Sequence, residues 1–321
     1  MKSFDKERYR GCLLGLAVGD AMGAPVEMNE PGMFEPLSGM VGGGYFKLLP
    51  GEWTDDTALA LCSAASLSEK GIFDPKDHLV KFLRWWREGY MSTRSEAFGI
   101  GMVTAGALMR FESTGEDFCG PTGEKTASNG SLMHIATVPL AYAHNPCEAI
   151  HLAAEASRLT HGAKEAIDAC RYLTSLIVGA IRGYHKSQLL VSHFDYDALD
   201  VWQEDALTAR IAHIADGTFK DGPPAISWKN YTDAAVALHA ALWGFYSTDT
   251  FKDGLLSVVN LGWDADTMGT VYGQLAGAYY GEGGIPAEWS GVISKSDTII
   301  SFADALHALA QKERPAKKRV G

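Results

Sequence analysis

Two stretches of this chain, one near each end, place glycine at every fourth position. They are Gly11, Gly15, Gly19 and Gly23, and then Gly269, Gly273, Gly277 and Gly281. Residues four apart share one face of an α-helix. A glycine costs about 1 kcal/mol against alanine inside a helix, so a stripe of them requires a compensating contact. Without Cβ atoms on that face, two helix axes can approach closely. The stripes predict one helix from Asp5 to Met22 and another after Asp266, lying close together in the core. The alternative is that each stripe meets a different bulky neighbour.

Acidic residues sit where such a pairing would gather them. Asp20 lies within the first stripe, and Glu27 follows Pro25, which ends that helix. The run Gly51-Glu52-Trp53-Thr54-Asp55-Asp56-Thr57 opens an apolar helix, and Trp263-Asp264-Ala265-Asp266-Thr267 opens the second glycine helix. Taken singly, each pair reads as helix capping: Thr54 as an N-cap, with acids in a first turn where the helix dipole favours anions. Taken together they form an all-oxygen set of Thr54, Asp55, Asp56, Asp264, Asp266 and Thr267. Converging carboxylates repel and take up protons unless a cation neutralises them. Oxygen-only ligands suit Mg²⁺, Mn²⁺ or Ca²⁺ rather than Zn²⁺. Four aspartates are many for one ion, so a site for two divalent cations is expected.

The charge balance narrows the partners. Lys and Arg total 28 against 39 Asp and Glu, a net charge of −11. A nucleic-acid footprint needs clustered basic charge, so nucleic acid is not expected. The five cysteines are scattered and lack a CxxC pair, which indicates neither a disulfide framework nor a thiolate metal site. No signal-peptide core and no bilayer-length apolar run is read. A soluble, cytoplasmic, monomeric protein without membrane contact is the expectation.

Helical periodicity dominates the chain, and strand patterns are almost absent. Further helices are expected at 55–69, 75–89, 99–111, 146–159, 163–183, 195–214, 232–246, 250–260 and 298–311, with a short segment around Trp289. The Ser128-Asn129-Gly130-Ser131-Leu132-Met133-His134 run is expected to lead into a helix that Pro139 kinks or ends. Residues 29–52, with Gly42, Gly43 and Gly44 at the centre, form a loop too long for a plain connection. It reads as a substrate lid or as a loose surface loop. The chain is read as one all-α domain over 1–311, a compact multi-helix bundle, with a basic frayed tail at 312–321. No P-loop, GxGxxG, GxSxG or HExxH string is present.

The ordered set of Leu13–Glu27 (LLGLAVGDAMGAPVE), Gly51–Leu59 (GEWTDDTAL), Asn129–Met133 (NGSLM), Leu159–His161 (LTH) and Trp263–Gly269 (WDADTMG) resembles the ADP-ribosylglycohydrolase family. The resemblance spans most of the chain in the family's order. It implies an orthogonal all-α bundle with a binuclear Mg²⁺ or Mn²⁺ site. The implied metal ligands are Thr54, Asp55, Asp56, Asp264, Asp266 and Thr267. Glu27 matches a glutamate beside the metals, and Glu27, Asp55 and Asp56 are the implied catalytic acids, with Asp56 or Glu27 taking a proton from water. Asn129, Gly130, Ser131 and His161 match positions lining an ADP-ribose pocket, and Gly42–Gly44 match a loop near the ligand.

The implied reaction cleaves the bond between ribose C1″ and an acceptor, most commonly arginine, on an ADP-ribosylated protein or small conjugate. Serine-linked and O-acetyl-linked ADP-ribose, and a non-catalytic crystallin-like role, are the alternatives. Three positions depart from the family pattern. His134 replaces a common arginine and Thr137 a common proline. Lys125-Thr126-Ala127 stand where some members carry an aspartate, with Glu124 the nearest acid.

Overall fold

The computed structural model describes residues 4–194 and 201–312. Its α-helices in chain order are α1 (Lys6–Gly23), α2 (Asp55–Lys70), α3 (Pro75–Glu88), α4 (Met102–Thr114), α5 (Thr137–Tyr142), α6 (Pro146–Arg158), α7 (Lys164–Ile181) and α8 (Lys186–Leu189). There follow α9 (Val201–Glu204), α10 (Ala209–Ala215), α11 (Ala234–Ser247), α12 (Phe251–Val259), α13 (Ala265–Tyr280), α14 (Ala287–Ser290) and α15 (Ser296–Ala310). Among the described residues no strand forms; isolated bridges join Gly43 to Leu48 and Ser128 to Asp233.

The centre of the bundle is the pair of glycine helices. α1 and α13 lie antiparallel with their stripes interlocked. A Cβ built on Gly15 would stand 2.4 Å from the Gly273 carbonyl oxygen, and one on Gly273 2.0 Å from that of Gly15. Gly19 meets Gly269 at 2.1 Å in the same way, and Gly11 meets Gly277 at 2.3 Å. No side chain larger than hydrogen fits between these backbones. Gly281 closes α13 at a positive φ of 75°, which glycine adopts without strain. At the other end Gly23 abuts the Ala265 backbone, so the end of α1 touches the start of α13.

Other contacts fix the remaining elements on this pair. The Arg8 guanidinium donates to Ala180 O and Tyr279 O, each at 2.8 Å, binding the carbonyl ends of α7 and α13 to α1. Arg10 forks onto Asp304 of α15 at 2.8 and 3.0 Å. The lead-in to α2 is pinned by fully buried Trp53, whose indole N–H donates to Ser294 O at 2.9 Å.

Several expected boundaries shift. α4 begins at Met102, because Gly99 is left-handed at φ 86° and Gly101 is extended as its N-cap. The Asn129-Gly130 run forms a single 3-10 turn, Asn129–Ser131, and α5 starts only at Thr137. Pro139 therefore sits in the first turn of α5, where a missing N–H costs nothing. The helix expected at 195–214 is two short ones over its described part. Asp168 Oδ2 accepts the Thr208 N–H at 2.8 Å and Arg171 donates to Asp205 O at 3.0 Å, holding the break between them. Residues 195–200, and the tail at 313–321, lie outside the described residues.

Candidate active site

Neither N-cap residue caps its own helix with its side chain. Thr54 occupies that position in α2 and Asp264 in α13. The cap of α2 comes from α1: Asp20 accepts both the backbone N–H and the hydroxyl of Thr54 and of Thr57. Asp264 instead accepts from the Asn129 side chain at 2.5 Å, and Asp266 Oδ1 accepts the Thr267 N–H at 2.9 Å.

The contact of Gly23 with Ala265 and a reciprocal backbone pair place Glu27 beside α13. Met28 N–H donates to Trp263 O and Trp263 N–H to Asn29 O, both at 2.7 Å. Met28 and Trp263 are left-handed, at φ 64° and 57°, a conformation that costs a non-glycine residue about 1 kcal/mol or more. The result is that one carboxylate oxygen from each of Glu27, Asp264 and Asp266 lies within 4.8 Å of the others. Such a group can hold a metal ion. Glu27 Oε2 and Asp56 Oδ2 are buried and have no hydrogen-bond partner.

The electrostatics follow from the crowding. Burial first, then the charges of Asp264 and Asp20, push the Glu27 carboxyl up to about 7. Burial pushes Asp20 and Asp264 up to about 6. Asp55, Asp56 and Asp266 are raised well above the usual carboxylate range by burial first and then by neighbouring acids, Asp20 foremost for Asp55 and Asp56 and Glu27 for Asp266. Among the described residues no Arg or Lys bonds to these acids, and a cation from outside the chain is what the donor set suits.

All of these acids except Asp20 line a cleft of about 330 Å³, large enough for a small-molecule ligand. Of the residues singled out from sequence, Glu27, Asp55, Asp56, Asn129, Gly130, His161, Asp264, Asp266 and Thr267 line it. His161 is buried and neutral, its pKa driven down to about 3 by burial and then by His134. Its Nε2 pairs with the Ser128 hydroxyl and its Nδ1 with that of Thr160, each at 2.9 Å.

Others lie elsewhere. The Ser131 hydroxyl is spent on Ser157 and Cys170, behind the cleft wall. Gly42 packs on the Leu48–Pro50 backbone and Gly44 on Ala24 and Pro25, and neither they nor Gly43 line the cleft. Thr54 is not among the lining residues; it adjoins Asp55, which is, and its hydroxyl donates its proton to Asp20. His134 is buried with its ring 5.2 Å from Phe82, away from the cleft, and Glu124 is also outside it.

Two parts of the wall went unread in the sequence. The segment Gly99–Thr104 lines one side, and a Cβ on Gly99 would come within 2.3 Å of Asp55 Oδ1. The Gly99-Ile100-Gly101 spacing was the available cue. Tyr231 lines another side and stacks on Trp263 at 5.9 Å.

The chain is similar to known proteins along nearly all of its length. A family model described as ADP-ribosylglycohydrolase matches residues 1–316. The chain is 34% identical over 301 residues to the ADP-ribosylarginine hydrolase Tri1 of Pseudomonas putida, covering 94% of this chain and 78% of that protein. It is 31% identical to the ADP-ribosyl-[dinitrogen reductase] glycohydrolase of Rhodospirillum rubrum, covering 95% and 97%. A solved structure of an ADP-ribosylglycohydrolase-related protein complex superposes with a TM-score of 0.82 at 40% identity, covering 95% of this chain and 98% of that one. The likeness runs through both acid-bearing ends that the glycine helices bring to one cleft, and the chain belongs to the ADP-ribosylglycohydrolase family.

Proposed function

We propose that this enzyme is a divalent-metal-dependent hydrolase that releases ADP-ribose from ADP-ribosylated protein, with arginine as the acceptor. The observation that carries the reading is the meeting of Glu27, Asp264 and Asp266 within 4.8 Å in a cleft that Asp55 and Asp56 also line. The unpartnered buried oxygen of Asp56 fits a bound cation, which would supply its missing partner. Thr54, Asp55, Asp56, Asp264, Asp266 and Thr267 are the residues that would hold two Mg²⁺ or Mn²⁺ ions. When bound, such ions anchor sugar hydroxyls and acidify water in the cleft.

The chain's own groups supply the rest. Glu27, partly exposed to the cleft and with Oε2 free, takes the proton from the attacking water. The carboxylates stabilise the positive charge that develops on the anomeric carbon as the acceptor leaves. Asn129, Gly130 and the Ser128 hydroxyl that neutral His161 holds at the wall border the rest of the ADP-ribosyl group. Arginine as acceptor is supported by the relatives of 34% and 32% identity that are named for that linkage.

The test is release of ADP-ribose from arginine-, serine- and O-acetyl-linked substrates, with added Mg²⁺ or Mn²⁺. The arginine linkage is expected to be cleaved, and Asp55→Ala or Asp266→Ala to lose both Mn²⁺ binding and release while keeping a helical circular dichroism spectrum. Full turnover by the metal-stripped double variant would overturn the mechanism. Release from the oxygen linkages alone would overturn the acceptor.

A further inference from the structure

We propose that Asp20 is a positioning residue that turns the lone pairs of the Thr54 hydroxyl toward the cation site. The inference rests on the metal reading above, and the test below separates the two.

Asp20 is wholly buried and its two carboxylate oxygens divide their work. Oδ1 accepts the Thr54 N–H at 2.9 Å and the Thr54 hydroxyl at 3.0 Å. Oδ2 accepts the Thr57 N–H at 3.0 Å and the Thr57 hydroxyl at 2.7 Å. Thr57 is the third residue of α2, whose N–H is one that a helix's own N-cap side chain commonly satisfies. Here a residue of α1 takes that task, and the Thr54 side chain is released from it.

The chemistry of the acceptor then fixes the hydroxyl. A carboxylate has no proton to give, so the Thr54 hydroxyl must donate to it. With its proton committed to Asp20, the oxygen keeps only lone pairs for its other side. A hard cation needs those lone pairs. Asp20 also stands on a firm footing, since Gly19 and Gly23 on either side of it press on the backbone of Gly269 and Ala265. The contact between α1 and α13 is thereby passed to the first turn of α2, where Asp55 and Asp56 sit.

The competing account is that Asp20 only caps α2. That account predicts lost stability, and any loss of cation affinity that comes from a loosened first turn of α2 would multiply with the loss in Thr54→Val. The variants are Asp20→Asn, which keeps the volume and one acceptor, Asp20→Ala, which removes both, and Thr54→Val, which removes the hydroxyl. Mn²⁺ binding is read by calorimetry and by the electron paramagnetic resonance of the bound ion, beside the melting temperature in EDTA.

Each folded variant is expected to bind Mn²⁺ about 10-fold more weakly, as happens when a group orienting a metal ligand is lost. The losses in Asp20→Ala and Thr54→Val are expected not to multiply in the double variant, because they act through one oxygen. If Asp20→Ala does not fold, Asp20→Asn with Thr54→Val makes the same comparison. Wild-type affinity in the Asp20 variants, or losses that multiply, overturns the inference. A wild-type protein that fails to bind Mn²⁺ overturns the metal reading itself.

Discussion

The side-chain amide of Asn129 donates to the Asp264 carboxylate at 2.5 Å, joining a 3-10 turn to the first turn of α13 across 135 residues of sequence. The turn is itself anchored, since the Asn129 N–H donates to Thr232 O at 2.8 Å. A donor at that place holds one Asp264 oxygen and leaves the other for the cleft. Hydrogen bonds to charged groups contribute about 1.5 to 3 kcal/mol. Asn129→Ala is therefore expected to weaken Mn²⁺ binding at least about 10-fold while the melting temperature in EDTA moves little. Calorimetry with Mn²⁺ checks this, and an unaltered affinity would show that Asp264 does not need the bond.

Stability should depend on pH in a manner set by the buried acids. The carboxyls of Glu27, Asp20 and Asp264 are raised to about 7, 6 and 6 in the fold, burial being the first cause. A folded state that holds protons more tightly than the unfolded chain gains stability at low pH. That contribution is complete below the ordinary carboxylate pKa of about 4 and is lost as pH rises through about 6 to 7. Buried His78 and His161, lowered to about 4 and 3, act in the opposite sense, losing stability as pH falls below about 6.5. Comparing melting temperatures with Mn²⁺ and with EDTA at each pH removes the part that both forms share. A cation replaces the protons on the acids, so the gap is expected to be small near pH 5 and to widen through pH 8. A gap that is constant over that range would contradict the acids' role.

What the sequence disclosed about this arrangement divides along a physical line. The glycine stripes were legible because helical spacing is local and the cost of glycine demands a partner. The two acidic pairs were legible for the same reason, each sitting at a recognisable helix start. Pro139 was misjudged because proline ends a helix or begins one, and the choice depends on where the preceding turn places its carbonyls. Gly99 gave little warning. Its pressure on Asp55 Oδ1 arises only once a segment more than forty residues later in sequence folds back over α2. The capping by Asp20 was hidden in the same way, since Thr54 and Asp55 satisfy every local rule for a self-capped helix.

His161 offers a separation of the two halves of the cleft. It is neutral, its ring nitrogens are paired with Ser128 and Thr160, and Gly130 lies so close that a Cβ there would stand 2.8 Å from its Cε1. It is not among the acids that meet. His161→Ala is expected to weaken ADP-ribose binding about 3- to 10-fold, the worth of the neutral hydrogen bond that holds the Ser128 hydroxyl at the cleft wall, and to leave Mn²⁺ affinity nearly as it was. Calorimetry with each ligand in turn decides the matter. Equal loss for both would mean that His161 supports the acids instead, and no loss for ADP-ribose would remove it from the pocket.

The glycine pairing can be tested apart from any ligand. A methyl group on Gly273 would stand 2.0 Å from the Gly15 carbonyl oxygen, and the obstacle is backbone rather than a movable side chain. Relief requires α1 and α13 to separate, which opens gaps along the whole interface. Gly273→Ala is expected to cost about 3 kcal/mol or more in urea unfolding. Gly106 supplies the control: it lies within α4, is exposed, and a Cβ there would meet nothing within 4 Å. With no clash to offset it, the ordinary helix preference for alanine should make Gly106→Ala more stable by up to about 1 kcal/mol. If the two substitutions shift stability alike, glycine in α13 is there for some reason other than the close approach of α1. The Gly273→Ala protein should also bind Mn²⁺ more weakly, because the same separation moves Glu27, carried at the end of α1, away from Asp264 and Asp266.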